Sequence, residues 1–452
     1  MMKKSFHLVS LGCAKNTVDS NSMAQLLQND GYKAAADPSD ADIILVNTCG
    51  FIEPAREESY AVLKELADGK RDDQLLIAAG CLTQRYGQQV LQMVPGIDGL
   101  LGTRRWMDIL QVVQRLRSDG APQPLYHLPE TPFVGQSPNG ILGAYYQGGS
   151  AYLKIADGCR RPCAFCAIPS IKGTAVSRPL DRILEDARSL QSRGVREINL
   201  IAQDTTDYGH DLGMKDGLAS LLETLMKEVP DITWLRILYA YPGFITDRLI
   251  EVMSNSNQIL PYIDIPLQHA DPAVLKQMRR PANMDWVYKT VEKLRINMPN
   301  LALRTTFIVG YPGETDQAFQ KLVDFVEEMR FDRVGTFAFS FEPGTTSENL
   351  GDPIPWEIKA ERQEILMLKQ QEISLQINQT LVGKTLDVLI EGKGEVEGSS
   401  EIISLGRSYR DAPEIDGMVI IEGGLPEGEI TPVKITGAMT YDLTAVPLDE
   451  ID

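Results

Sequence analysis

At 452 residues the chain has room for about three domains, and its 43% apolar and 23% charged residues are ordinary for a globular protein in water. A net charge of −18 disfavours a chain that grips phosphate backbones and favours a basic partner. The apolar runs ADIILVNTC and LLIAAGC are strand-sized, well short of a membrane span.

The N-terminus, MMKKSFHLVSLGC, has two lysines and a short apolar run. A signal peptide needs a longer apolar stretch and a small-residue cleavage site. The run therefore reads as a first strand and the protein as cytoplasmic. From Phe6 to about Leu116, strand-like runs alternate with helical patterns near Asn21–Asp30, Pro54–Asp68 and Thr83–Met93. That alternation predicts a parallel sheet covered by helices, an αβα domain over residues 1–120. Ligand sites in such sheets form beyond the carboxyl ends of the strands. FHLVSLGC, ADIILVNTC and LLIAAGC end at Cys13, Cys49 and Cys81, so three cysteines separated by 35 and 31 intervening residues become neighbours there. Three unrelated buried cysteines are the plainer alternative. The repeated strand-end position counts against it.

Residues 121–149, rich in Pro and Gly and without periodicity, read as a linker. A second alternating series follows over 150–380. Strands are predicted near Ala151–Ala156, Arg196–Ile201, Thr233–Leu238, Pro261–Ile265, Leu303–Val309 and Arg333–Phe339. Helices are predicted at Leu180–Arg193, Leu218–Val229, Asp285–Asn297 and Thr315–Met329. Six β/α units imply an open partial barrel, smaller than the closed eight-fold form. A long helix is predicted over Pro355–Thr380. The short Gly-punctuated runs of 381–450 predict a small antiparallel β-barrel. From Ile377 to Asp452 there are 15 Asp plus Glu against 5 Lys plus Arg, a local balance of −10.

The chemistry concentrates in ADGCRRPCAFCAIP, directly after the first barrel strand, on the face where barrel enzymes place catalysis. Cys159, Cys163 and Cys166 have the spacing Cys-x3-Cys-x2-Cys, which can wrap one iron–sulfur cluster. Three thiolates on a four-iron cluster leave one iron open. The amino and carboxylate groups of S-adenosylmethionine can chelate that iron, and reduction then yields a radical able to open an unactivated C–H bond. Structural zinc usually takes four ligands in two pairs, so a lone triplet fits it poorly.

The cluster loop, with aromatic Phe165 before its third cysteine, resembles that of the radical S-adenosylmethionine superfamily. SLGCAKNTVDS at Ser10–Ser20, followed by Cys49 and Cys81, resembles the N-terminal domain of the methylthiotransferases. The C-terminal barrel sits where that family carries a TRAM domain. Within the family the chain resembles the branch acting on an aspartate of ribosomal protein uS12. The carrying runs are SLGCAKN, CAIPSIKGTAVSRP, PLQH, RTTFIVGYPGET and GRSYRDAPEIDG. It departs at Asn21, where the family usually has Glu, and at Lys172, where it often has Arg.

The resemblance implies two [4Fe-4S] clusters, the second on Cys13, Cys49 and Cys81 with an open iron able to carry sulfur. It also implies two S-adenosylmethionine per turnover, one to methylate that sulfur and one to be cleaved, giving 3-methylthioaspartate. Phe165 is expected near the adenine, Gln203 and Asp204 near the methionine part, and Gln268 and His269 near the ribose or the substrate path. Gly310, in VGYPGET, is expected to bring backbone to the adenine. The expected partners are uS12, free or in the small subunit, and a flavodoxin-type electron donor; no motif names the sulfur donor. The acidic tail is expected to dock basic uS12, with neither RNA binding nor a membrane dominating. The alternatives are a tRNA adenosine methylthiotransferase, an iron–sulfur electron carrier, which usually has four cysteines per cluster, and a zinc-stabilised binding protein.

Overall fold

The structure, a computed structural model, describes residues 4–118, 124–131, 141–395 and 401–448. The N-terminal sheet has six parallel strands in the spatial order Lys33–Ala34, Ser5–Ser10, Ile43–Thr48, Leu75–Gly80, Gly99–Gly102 and Leu125–His127. Every residue of Ile43–Thr48 is buried, as expected of a strand covered on both faces. The strands preceding the three cysteines are adjacent. Their register aligns Ser10 with Asn47 and Thr48 with Gly80, so the chain leaves all three at one level.

The central domain is a seven-stranded sheet. Six parallel strands run Ser150–Lys154, Glu197–Ile201, Trp234–Ile237, Ile259–Asp264, Ala302–Val309 and Arg333–Ala338, each beside the next. The sheet does not close on itself, as the six-unit reading required. Its core is the largest in the molecule, built of buried Leu, Ile, Val and Phe. Each such side chain contributes about 1.5–3 kcal/mol on burial.

The 121–149 segment contains two strands that the absence of periodicity concealed. Leu125–His127 extends the N-terminal sheet, and Ala144–Gln147 pairs antiparallel with Ser150–Lys154 around Gly148–Gly149. Residues 121–123 and 132–140 of that segment lie outside the described residues.

The helix Trp356–Gln379 leads to a closed five-stranded barrel of Thr385–Glu395, Ile402–Ser408, Val419–Glu422, Leu443–Pro447 and Ile430–Ala438. It was expected to be antiparallel throughout, but Val419–Glu422 and Leu443–Pro447 run parallel. Most of the run from Gly406 to Gly417 is turned inward, with Glu414 and Ile415 exposed. Arg407, Ser408, Arg410, Asp411 and Ala412 are buried, and the run packs beneath the partial barrel, with Ala412 among Tyr152, Trp234 and Tyr262. Glu197 pairs there with Arg236 (2.9 Å) and Arg407 (2.6 Å), Arg333 with Asp411 (2.6 Å), and Arg410 with Asp332 (2.5 Å).

Candidate active site

The first strand ends in the helix Ala14–Asn29, with Cys13 at its N-cap. Asn16, on that helix's first turn, is buried and reaches all three cysteine loops. Its Nδ2 donates to the carbonyls of Leu11 and Thr48, both at 3.0 Å, and its Oδ1 lies 3.8 Å from Cys81 Sγ. Asn47 fixes the same helix, donating to Asn16 O and Ser20 Oγ. Gly12 has φ +89°, and a Cβ there would come 2.8 Å from Cys49 Cβ, so only glycine lets the two loops meet.

The second triplet is held by a pinched loop. Ala156–Asp157 pairs antiparallel with Val176–Ser177, and Cys159 N donates to Gly173 O at 3.0 Å. Gly158 (φ +80°) permits the pinch, because a Cβ would meet Thr174 O at 2.1 Å. The Arg161 amide N–H donates to Cys159 Sγ, and Arg280 Nη1 to Cys163 Sγ, both at 3.5 Å; the Tyr241 hydroxyl lies 3.8 Å from Cys163 Sγ.

The two triplets share one chamber. A cavity of about 480 Å³ is lined by all six cysteines. Burial pushes Cys159 up to about 11, and Cys81 and Cys166 up to about 12, with Lys172 pulling Cys81 partly back; burial also raises Cys49. Such thiols stay protonated until a strongly cationic partner displaces the protons. Among the described residues, no three His, Cys, Asp or Glu side chains close on a single ion.

Phe165, Gln203 and Gln268 line the chamber. Gln203 Nε2 donates to Asp157 at 3.0 Å while its Oε1 is unpartnered, and Gln268 Oε1 is likewise unpartnered on a backbone with φ +75°. Asp204, His269 and Gly310 do not line it. Asp204 instead holds the Arg161 guanidinium at 2.6 Å, so it reaches the chamber only through that arginine. His269 is fully buried, its Nδ1 accepting from Asp271 N at 2.9 Å. Gly310 N–H is bound by the Glu314 carboxylate.

The sequence reading passed over Lys15, Asn16, Arg161, Tyr239, Tyr241 and Arg280 on the lining. Lys15 and Asn16 stood inside SLGCAKN and Arg161 inside the cluster loop, which was the available signal. Tyr239 and Tyr241 follow a barrel strand without any motif.

The seam between the domains is ionic and buried. Lys172 pairs with Asp19 (3.0 Å) and Asp157 (3.1 Å), and Lys154 bridges the same two carboxylates. Asn21 donates to Ala144 O at 2.8 Å. Thus Asn21 and Lys172 both bond across the seam. On the opposite side Glu342 holds Arg56 (2.5 Å) and Arg85 (2.8 Å).

Comparison with known proteins agrees with this organisation. Residues 5–102 match the uncharacterized protein family UPF0004, 153–326 the radical SAM superfamily, and 382–448 the TRAM domain. The fold resembles that of the radical S-adenosylmethionine methyltransferase TsrM from Kitasatospora setae, with a TM-score of 0.57 and 13% identity over 85% of this chain and 81% of that one. The ribosomal protein uS12 methylthiotransferase RimO of Chloroflexus aurantiacus is 47% identical, covering 97% of this chain and 98% of its own length. RimO of Roseiflexus sp. is 44% identical, over 97% of this chain and 96% of its own. With such identity over almost the full length of both partners, and the three domain matches along this chain, the chain belongs to the RimO family of ribosomal protein uS12 methylthiotransferases.

Proposed function

We propose that this enzyme attaches a methylthio group to the β-carbon of an aspartate in ribosomal protein uS12, giving 3-methylthioaspartate. The observation that carries the reading is the single chamber lined by both thiol triplets. Removing a hydrogen from a carbon and delivering sulfur to it require both centres to reach one atom, and a shared chamber meets that requirement.

The residues fit two [4Fe-4S] clusters. Each triplet offers soft sulfur donors, and their neutral thiols are exchanged for thiolates when iron binds. Cys159, Cys163 and Cys166 would hold the radical cluster, and Cys13, Cys49 and Cys81 the auxiliary one, with two S-adenosylmethionine used per turnover. The radical cluster, when bound, supplies the electron that cleaves S-adenosylmethionine and so opens a C–H bond beyond the reach of side-chain acids and bases.

The protein's own groups bind, orient and shield. Phe165, packed edge-on against Tyr311 at 6.5 Å, presents a flat apolar surface suited to adenine. The unpartnered amide oxygens of Gln203 and Gln268 are placed to accept from the cofactor's ammonium or ribose hydroxyls. Asp204 orients Arg161 toward the same cofactor, and Gly310 supports the adenine side from behind the lining. Arg161 and Arg280 donate to thiol sulfurs and would stabilise the thiolates.

The reaction is assigned to the cytoplasm, on uS12 free or in the small subunit, with a flavodoxin-type protein as electron donor. Among the described residues no helix is long and apolar enough to cross a membrane. Mass spectrometry of uS12 and of tRNA from cells lacking this protein tests the reading. The expected result is uS12 without its methylthio group and tRNA unchanged. Loss of the group from tRNA alone overturns the choice of substrate.

A further inference from the structure

Four cationic side chains line the chamber, and three have other duties. Arg161 is paired with Asp204 and Asp207, and Lys172 with Asp19 and Asp157. Arg280 is spent on Cys163 Sγ and the carbonyl of Pro266. Lys15 differs. No carboxylate pairs with it among the described residues; its Nζ rests 3.5 Å from the centroid of the Tyr239 ring and hydrogen-bonds that side chain. An aromatic face attracts an ammonium but does not neutralise it. A half-buried cation in this position gives up hydration and keeps the capacity to bind an anion.

The placement is telling. Lys15 follows Cys13 by two residues, on the side of the first triplet. Tyr239 precedes by two residues Tyr241, whose hydroxyl lies 3.8 Å from a sulfur of the second triplet. The Lys15–Tyr239 contact therefore joins the two domains on the wall of the chamber that both sets of thiols line, the chamber where a carbon exchanging hydrogen for sulfur must sit. Tyr239 is held there at φ +61°, a conformation sparsely populated by non-glycine residues, and such strain gathers at binding sites.

We propose that Lys15, seated on the Tyr239 ring, receives the side-chain carboxylate of the substrate aspartate and selects aspartate over a neutral residue at the reacting position. This rests on the functional reading above and names the group that recognises its substrate. The carboxylate is bonded directly to the β-carbon, so clamping it holds the reacting atom within the chamber that both triplets line. A charge-assisted bond from an ammonium discriminates strongly against an amide of the same shape.

The test uses the full-length, iron-loaded protein and reads binding by fluorescence anisotropy. Wild type, Lys15→Met and Lys15→Arg are titrated with labelled uS12 and with uS12 carrying asparagine in place of the target aspartate. Wild type and Lys15→Arg are expected to bind the aspartate form about tenfold more tightly than the asparagine form, and Lys15→Met to bind both alike. The preference is a ratio within each variant, so a change in iron content that weakens both forms equally does not enter it. Full preference retained by Lys15→Met overturns the assignment, as does wild type without preference while it still modifies uS12. A wild type that neither binds nor modifies uS12 overturns the functional reading itself, and Lys15's role with it.

Discussion

One asparagine side chain ties together the three loops that carry the first triplet. Asn16 donates to the loop before Cys13 and to the carbonyl before Cys49, and its oxygen faces the Cys81 thiol. An amide can serve all three because it carries two donors and an acceptor in one plane. Replacing it by alanine strands the buried Thr48 carbonyl and the half-buried Leu11 carbonyl, at a cost of about 1–3 kcal/mol, small against the core of this domain. The fold should therefore survive in Asn16→Ala while the triplet loses its spacing. After anaerobic reconstitution, iron is expected to fall from about eight to about four per chain, with circular dichroism unchanged. Iron near eight in that variant would show that the strand ends alone set the triplet.

Between elements, the final barrel is fixed to the central one by a buried carboxylate held between two guanidiniums. Burial alone would raise the Glu197 pKa, but Arg407 and Arg236 outweigh it and hold the carboxyl well below its ordinary 4.5. With the folded pKa depressed, the stabilisation is complete above the unfolded value and is lost as pH falls below it. Glu197→Gln leaves the buried Arg236 guanidinium without a counter-charge and Arg407 with only the exposed Glu391, costing about 3–5 kcal/mol at neutral pH. Thermal melts should show wild type losing stability steeply between about pH 5 and about pH 3 and the variant losing less. Parallel losses would locate the acid sensitivity elsewhere.

The sequence reveals these elements unevenly, for physical reasons. The six central strands lie within a few residues of their expected places because most are buried apolar runs and the last two alternate buried with more open positions. The helix Ala14–Asn29, expected from Asn21, begins seven residues earlier, since its first turns bury Asn16, Asp19, Ser20 and Ser22. Those polar side chains are satisfied by loops and lysines from elsewhere, and no periodicity can announce that. The helix expected over Thr83–Met93 is two, Cys81–Tyr86 and Gln88–Met93, broken at Gly87 with φ +42°. The cysteines were legible through spacing and strand-end position, whereas Tyr239 and Tyr241 gain meaning only from what they face.

Across the whole molecule, the acidic excess of the last 76 residues divides into two populations. Asp411 and Asp416 are internal, paired with Arg333 and Arg304, and serve to seat the barrel. Asp387, Glu422 and Glu427 are exposed, with no ion-pair partner among the described residues. Only this second population can steer a basic protein, because a neutralised internal pair projects little field. The GRSYRDAPEIDG run thus belongs mainly to domain packing, which leaves Asp387, Glu422 and Glu427 as the carboxylates whose field a test of barrel docking must change. Reversing Asp387, Glu422 and Glu427 to lysine should raise KM for uS12 about tenfold at low salt while kcat changes little, because encounter is slowed and the chamber is untouched. The difference should shrink toward nothing near about 0.5 M salt, where the Debye length is only a few ångströms. A KM equal to wild type at low salt would show that uS12 approaches over another face, and a fall in kcat alone would place these carboxylates in the seating of the barrel with Asp411 and Asp416.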